Sequence, residues 1–139
     1  MTILADSGYW IALLDRNDRH HAHAVEVTGG LHEQLLVTWP ILAEAAHFLG
    51  ARFGPRAVQR LIELGERGAY RIHQTAEHDL PQLRNLMAKY ADLPMDLADA
   101  SLVLLAEQSG DGRILSTDQR EFRAHRFKQH KPFRNLLLG

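Results

Sequence analysis

The chain of 139 residues contains no cysteine, which excludes disulfide bonds, thiolate metal sites and a cysteine nucleophile. It has no apolar stretch near the roughly 18 residues that a membrane-spanning helix needs. Its first residues lack the basic and apolar segments of a signal peptide. Neither a Gly-x-Ser-x-Gly elbow nor a Gly-rich phosphate loop is present. These absences predict a cytoplasmic protein with no membrane association, and they leave a serine hydrolase without support.

Short apolar runs alternate with longer segments of helical periodicity, which is typical of an α/β fold with parallel strands. The candidate strands are Ile3–Ala5, Leu35–Thr38, Tyr70–His73 and Arg113–Ser116, with a weaker fifth strand near Arg126–Lys128. The helical segments lie at about residues 9–14, 20–28, 40–53, 56–67, 79–90 and 96–109. No repeat, linker or low-complexity segment divides the chain. We therefore expect one domain over residues 1–139, with a central parallel sheet of four to five strands flanked by helices.

The formal net charge of −1 conceals an asymmetry. Residues 1–112 carry 9 basic and 15 acidic side chains, whereas residues 113–139 carry 7 basic and 2 acidic ones, so the net charges are −6 and +5. The basic residues of the second part are Arg113, Arg120, Arg123, Arg126, Lys128, Lys131 and Arg134. This segment either contacts phosphate groups or forms a solvated surface that balances an acidic body.

Five carboxylates stand in or beside segments that are otherwise apolar: Asp6, Glu44, Asp96, Asp99 and Asp118. All except Asp96 lie within segments that we expect to be core. A buried carboxylate without a partner is costly, so such groups become neutral, form ion pairs or bind a metal. Arg120 alone among the Lys and Arg residues lies within two positions of any of them. A divalent cation is therefore the expected partner.

The positions of these acids suggest that they converge. Asp6 and Asp118 follow predicted strands, and residues at the carboxyl ends of parallel strands line the ligand crevice. Asp96 and Asp99 share one helical face, and Glu44 lies on an apolar helical face. Oxygen ligands of this kind suit Mg²⁺ or Mn²⁺, ions that activate water for attack on a phosphodiester.

Simpler roles exist for three of the five acids. Asp6 could cap the helix that follows it, Asp96 could be a helix N-terminal charge favoured by the dipole, and Asp118 could be a turn residue. Capping explains neither Glu44 nor Asp99.

Four segments resemble, in order and in spacing, the motifs of PIN-domain ribonucleases, in particular the VapC-type toxins of bacterial toxin–antitoxin pairs. The segments are Ile3-Leu-Ala-Asp6-Ser7, Ile41-Leu-Ala-Glu44, Asp96-Leu-Ala-Asp99-Ala-Ser-Leu-Val and Ile114-Leu-Ser-Thr117-Asp118-xxx-Phe122. The resemblance extends from about residue 2 to about residue 135. It implies a five-stranded parallel sheet, a Mg²⁺- or Mn²⁺-dependent endoribonuclease acting on RNA, a homodimer, and an antitoxin whose tail covers the acidic pocket.

The resemblance also implies roles for individual residues. It assigns catalysis and metal binding to Asp6, Glu44, Asp99 and Asp118, and an accessory metal-binding role to Asp96. Ser7 and Thr117 match small hydroxyl residues that orient the acids or their waters. Glu121 could support or replace Asp118.

Two rival functions and two ambiguous groups of residues remain. A phosphatase of the haloacid dehalogenase type would use Asp6 but needs a second acid where Gly8 stands, and a catalytically silent RNA- or protein-binding module is the other rival.

The residues His20, His21 and His23 are either a zinc site or an exposed helix start. The residues Trp10 and Trp39 either stack on a base or belong to the core.

Overall fold

The computed structural model of the chain describes residues 2–90, 95–118, 126–127 and 131–138. The strands are β1 (Thr2–Ala5), β2 (Gln34–Thr38), β3 (Arg71–His73), β4 (Arg113–Leu115), β5 (Arg126–Phe127), β6 (Lys131–Pro132) and β7 (Arg134–Asn135). The helices are α1 (Ser7–Leu14), α2 (His21–Gly29), α3 (Trp39–Phe53), α4 (Pro55–Glu66), α5 (Leu80–Lys89) and α6 (Leu97–Ser109), and a 3₁₀ turn spans Glu77–Asp79.

The main sheet has five parallel strands in the order β3-β2-β1-β4-β7. Strand β1 is central, and its Leu4 pairs with Leu36 on one side and with Ile114 on the other. Ile3 and Ala5 are fully buried, because helices cover a sheet of this kind on its faces. The predicted α/β fold with a central parallel sheet flanked by helices is confirmed.

The position predicted for the fifth strand of this sheet is wrong. Arg126–Phe127 pairs antiparallel with Lys131–Pro132 in a separate two-stranded sheet, and the fifth parallel strand is Arg134–Asn135. Backbone hydrogen bonds from Arg134 N–H to the Gly112 carbonyl (2.9 Å) and from Leu136 N–H to the Ile114 carbonyl (2.7 Å) attach β7 to β4. The two residues of β7 are polar, so their composition carries no strand signal, and the backbone pairing alone defines the strand.

The helix ends follow the sequence signals within a few residues. Asp6 caps α1, and Thr38 caps α3 by accepting a hydrogen bond from the Ile41 N–H (3.3 Å). Gly54, with φ of 85°, ends α3 in a conformation that favours glycine. Because β1 and β2 are parallel and each leads directly into a helix, α1 and α3 begin at the same edge of the sheet. This edge positions the acids.

Aromatic side chains fill the space beneath these helices. Trp10 is 1% exposed, and its ring meets the rings of Tyr9 and Tyr70 edge to face, with centroids 4.9 and 5.0 Å apart. Helix α6 is buried along residues 98–106, so the acid near its start is held in apolar surroundings. Within the described ranges, no helix combines the length and apolar character that crossing a bilayer requires.

The contact between β5 and the turn before β4 gives a test of the fold. A Cβ atom on Gly112 would lie 2.2 Å from the ring of Phe127, which is buried. We expect Gly112→Ala to lower the free energy of unfolding by about 1–3 kcal/mol, because the ring must move in a packed environment. Denaturant unfolding would measure this loss.

Gly29→Ala is the matched control, since a Cβ atom there would meet no atom within 4 Å. The double variant Gly112→Ala/Phe127→Leu should lose less stability than the sum of its two single changes, because the smaller side chain makes room. Strict additivity of the two losses would contradict the contact.

Candidate active site

Asp6 lies at the junction of β1 and α1 and is 5% exposed. One carboxylate oxygen accepts a hydrogen bond from the Ser7 N–H (2.8 Å), and the other accepts one from the Ser116 hydroxyl (2.9 Å). The Asp6 N–H donates to the Leu115 carbonyl (3.0 Å), which ties the residue to β4. The expectation that Asp6 caps a helix is therefore correct, and it holds together with a place among the other acids.

The electrostatic surroundings of Asp6 oppose its ionisation. Burial raises the pKa of Asp6 from 3.8 to about 7, and the negative charges of Asp99 and Glu44 raise it further, against the lowering effect of the hydrogen bonds from Ser7 and Ser116. A carboxyl group that titrates near neutral pH is unusual and marks a candidate functional site.

Glu44 lies in the second turn of α3 and accepts a hydrogen bond from the Ser7 hydroxyl. This is the kind of orienting contact that the sequence predicts for Ser7. Burial raises the pKa of Glu44, and the nearby Asp96 raises it through its charge and through a hydrogen bond. Glu44 thus connects the acid at the start of α1 with the acids at the start of α6.

Asp96 and Asp99 form a capping box at the start of α6. The Asp99 N–H donates to Asp96 (2.8 Å), and the Asp96 N–H donates to Asp99 (3.3 Å). Asp99 is 7% exposed, whereas Asp96 is exposed. Since Asp96 acts on the ionisation of Glu44 and Asp99 on that of Asp6, the cap also brings both carboxylates to the site. We call Asp6, Glu44, Asp96 and Asp99 the acid cluster.

Asp118 is connected to the acid cluster through Ser116. The Asp118 N–H donates to the Ser116 hydroxyl oxygen (2.9 Å), and this hydroxyl donates to Asp6. The Asp118 side chain is exposed, as expected at the mouth of a site. Glu121, which could support or replace Asp118, lies outside the described residues.

The hydroxyl that contacts Asp6 belongs to Ser116, the neighbour of Thr117. Ser116 is fully buried and contacts Asp6, whereas the Thr117 hydroxyl packs against Gly8, where a Cβ atom would lie 2.1 Å from it. Three consecutive polar residues, Ser116 to Asp118, follow β4, and the alternation of side chains along an extended segment decides which hydroxyl points inward.

Asn135 is a supporting residue that sequence reasoning missed. Its side-chain carbonyl accepts a hydrogen bond from the Ser116 N–H (3.3 Å), and its amide group donates to the Ser116 carbonyl (2.9 Å). The last strand of the sheet therefore fixes the backbone that presents Ser116 to Asp6. An isolated Asn beside a leucine run carries no recognisable signal for this role.

The chemistry of the acid cluster fits a hard divalent cation, although the side chains are not arranged as a finished site. Within residues 2–90, 95–118, 126–127 and 131–138, no three His, Asp or Glu side chains are placed to hold a metal ion together. The hydrogen bonds to Ser7, Ser116 and the Asp96 backbone occupy several carboxylate oxygens. A cation would offset both the burial and the repulsion that raise the pKa of Asp6. Direct coordination by three acids would require these side chains to reorient.

The histidine cluster of the sequence does not form a metal site in the described part of the chain. His21 bonds through Nδ1 to the Ala12 carbonyl (2.8 Å), and His23 bonds through Nε2 to the Leu137 carbonyl (2.5 Å). These rings attach α2 to α1 and to the C-terminal segment. One ring nitrogen of each of these two histidines is therefore used to hold the fold together, which favours a structural role over zinc binding.

The two tryptophans have different surroundings. Trp10 is buried and belongs to the core, so it cannot stack on a base, whereas Trp39 is 52% exposed at the start of α3.

The basic C-terminal segment is only partly described. Arg113 pairs with Asp111 (2.9 Å) and Glu33 (3.4 Å) and donates to the Thr2 carbonyl (3.0 Å). These contacts connect β4 to its neighbouring segments and use the guanidinium group of Arg113, which favours a structural role over binding of phosphate groups. Arg120, Arg123 and Lys128 lie outside the described residues.

Comparisons with known proteins identify relatives. The family model of the PIN domain matches residues 3–128. The chain is 26% identical over 124 residues to ribonuclease VapC26 of Mycobacterium tuberculosis, covering 89% of this chain and 92% of the relative. It is also similar to the crystal structure of Mycobacterium tuberculosis VapC20, described as a toxin that cleaves the sarcin–ricin loop, with a TM-score of 0.82 and 18% identity over 94% of this chain and 99% of that one. The family match includes all four segments on which the sequence resemblance depends, and the structural match concerns the fold.

The raised pKa of Asp6 predicts how pH affects stability without metal. Below about pH 4 the carboxyl is protonated in both states; between about pH 4 and pH 7 only the unfolded state ionises, so stability falls as pH rises. Asp6→Asn removes this penalty. We therefore expect the Tm of metal-free Asp6→Asn, relative to wild type, to increase between about pH 5 and about pH 8.

Glu26→Gln, on the exposed face of α2, controls for the loss of one negative charge at the surface. Added Mn²⁺ should raise the wild-type Tm by mass action and raise that of Asp6→Asn much less. If the Tm difference between Asp6→Asn and wild type is the same at the lower and at the higher pH, the prediction that Asp6 titrates between them is contradicted.

Proposed function

Because the chain belongs to the PIN-domain family, we propose that it is a Mg²⁺- or Mn²⁺-dependent endoribonuclease that hydrolyses phosphodiester bonds in RNA. The observation that carries this proposal is the acid cluster: a buried carboxyl with a pKa of about 7, acted on by two further acids, at the carboxyl edge of a parallel sheet. Such a site binds cations and repels anions unless a cation is present.

In this proposal Asp6, Glu44 and Asp99 hold the cation, Asp118 completes the site from its mouth, and Asp96 supports it through Glu44. The ion supplies a lowered pKa for bound water and a positive charge opposite the phosphate oxygens. The protein's own contribution is positioning. Ser7 fixes Glu44, and Ser116 fixes Asp6 while also binding the backbone of Asp118.

Water as the nucleophile determines the products. Attack on phosphorus that expels the 3′-oxygen leaves a 5′-phosphate and a 3′-hydroxyl, and the RNA 2′-hydroxyl takes no part. An enzyme that used the 2′-hydroxyl would instead leave a 2′,3′-cyclic phosphate.

The phosphatase rival is disfavoured by the surroundings of Gly8. A haloacid dehalogenase needs an acid there, and in this fold even a Cβ atom would lie 2.1 Å from the Thr117 hydroxyl. The second rival, a catalytically silent binding module, does not account for the acid cluster. In such a module the repulsion among the carboxylates would lower the stability of the fold without contributing to function.

We further propose that the protein is the toxin of a toxin–antitoxin pair and acts as a homodimer. The support comes from its similarity to VapC26 and VapC20, the second of which is described as a toxin. The partner would be an antitoxin whose tail covers the acid cluster, with a basic side chain taking the place of the cation.

Cleavage assays with purified protein test the chemistry. We expect RNA to be cut in Mg²⁺ or Mn²⁺ and not after chelation, with 3′-hydroxyl ends. Asp99→Asn should abolish cutting, and Ser116→Ala should lower kcat roughly 10- to 100-fold, because residues that orient metal ligands contribute about this much. The exposed Glu77→Gln is the control. Ends carrying 2′,3′-cyclic phosphate would overturn the water mechanism.

Expression in bacteria tests the biological role. Wild-type protein should arrest growth, and co-expression of a small protein from the adjacent reading frame should restore growth and co-purify. Asp99→Asn should cause no arrest while still capturing that partner. Harmless overexpression of an active nuclease would contradict the toxin proposal but not the nuclease proposal.

A further inference from the structure

A second concave surface lies at the far ends of α1 and α3 and has no role in the function proposed above. It is a cleft of about 340 Å³ between the end of α1 and the α3–α4 hairpin. Three arginines, Arg16, Arg56 and Arg60, contribute to its lining, together with Asn17 and Phe53. We call it the arginine cleft.

Local ion pairs leave the arginine cleft positively charged. The buried Asp15 accepts a hydrogen bond from the Asn17 N–H (2.9 Å) and lies 3.8 Å from Arg52, at the edge of the cleft. Arg56 pairs with Glu63 at 2.7 Å. Four arginines thus face two carboxylates, a net charge of +2.

Arg16 and Arg60 supply this excess charge. Both are exposed, and neither forms an ion pair with another residue in the described ranges. Their guanidinium groups remain available for a ligand that carries phosphate oxygens, which guanidinium binds with paired hydrogen bonds.

Aromatic rings add a second kind of surface to the cleft. Arg52 lies over the rings of Phe48 and Phe53, at 5.5 and 5.8 Å from their centroids. Phe53 is 45% exposed and lines the cleft. An exposed ring beside guanidinium groups is the combination that binds single-stranded nucleic acid, because bases stack on the ring while cations follow the backbone.

The two helices also set the distance between the arginine cleft and the acid cluster. Asp6 and Asp15 flank the eight residues of α1 and are nine residues apart, or about 14 Å at the helical rise. On α3, Glu44 and Phe53 are nine residues apart, or about 14 Å. Since α1 and α3 pack together, both paths connect the same two sites. A strand of RNA needs only a few nucleotides to span this distance.

We infer that the arginine cleft binds a single-stranded segment of the RNA substrate, a few nucleotides from the phosphodiester held at the acid cluster. Arg16 and Arg60 contact its phosphates, and Phe53 stacks on a base. This inference rests on the proposed nuclease function for the identity of the ligand, but RNA binding at the cleft can be measured without cleavage.

The test measures binding of a fluorescein-labelled single-stranded oligouridylate in the Asp99→Asn background, as a function of salt. Each phosphate contact on a single strand contributes about −0.7 to the slope of log affinity against log salt. Arg16→Glu/Arg60→Glu should therefore weaken binding and flatten the slope by about 1.4. Phe53→Ala should weaken binding without changing the slope.

Arg71→Glu/Arg84→Glu, at exposed positions of β3 and α5, is the matched charge control and should not change the slope beyond the effect of net charge. Thermal unfolding would verify that every variant is folded. In the background that retains Asp99, the double variant should raise KM for a long RNA with little effect on kcat, and should leave a substrate too short to reach the cleft unaffected.

The outcomes separate the two proposals. Equal affinity and slope for the cleft double variant and the control Arg71→Glu/Arg84→Glu would overturn the cleft proposal and leave the nuclease intact. If the protein with Asp99 intact cuts no RNA in Mg²⁺ or Mn²⁺ and the double variant still loses RNA binding, the cleft proposal is supported and the nuclease proposal is overturned. A cleft that binds a polyglutamate peptide but not the oligouridylate would overturn RNA as its ligand.

Discussion

The burial of the Asp6 carboxyl beside other acids is the constraint on which the rest of the site depends. A carboxyl buried between two other acids is stable as an anion only if something positive joins it. Hydrogen bonds from Ser7 and Ser116 lower its pKa but do not restore the usual value, which leaves it at about 7. Ionised Asp6 therefore carries an electrostatic cost, which a bound cation would relieve.

The parallel sheet makes this arrangement possible. Strands β1 and β2 end at one edge and lead at once into α1 and α3, so acids distant in sequence meet without long loops. Two of the acids also have a second role. Asp6 and Asp96 cap helices with the same carboxylates that belong to the acid cluster. The prediction of capping roles for these two residues was therefore correct, but it did not exclude a role in the site.

Sequence predicted the features that depend on local chemistry. Helix ends follow capping residues, Pro and Gly, and the carboxylates stand out because apolar neighbours surround them. The parts that it missed depend on long-range backbone pairing. Asn135 and β7 have no apolar pattern, and only their pairing with β4 brings Asn135 to Ser116. Whether Ser116 or Thr117 faces Asp6 depends in the same way on the geometry at the end of β4.

If both proposals hold, the acid cluster and the arginine cleft would act on an RNA polyanion with charges of opposite sign. Ionised carboxylates repel a phosphodiester, whereas the excess of guanidinium groups attracts its neighbours along the strand. As the pH rises through about 7, Asp6 ionises and adds its negative charge to the acid cluster when no cation is bound. Long RNA would then be held by the cleft while its scissile phosphate is kept away from the acids, and cation binding would remove that barrier. In this scheme, cation binding allows the scissile phosphate to approach the acid cluster, and the arginine cleft selects the RNA strand whose phosphate lies close enough to do so.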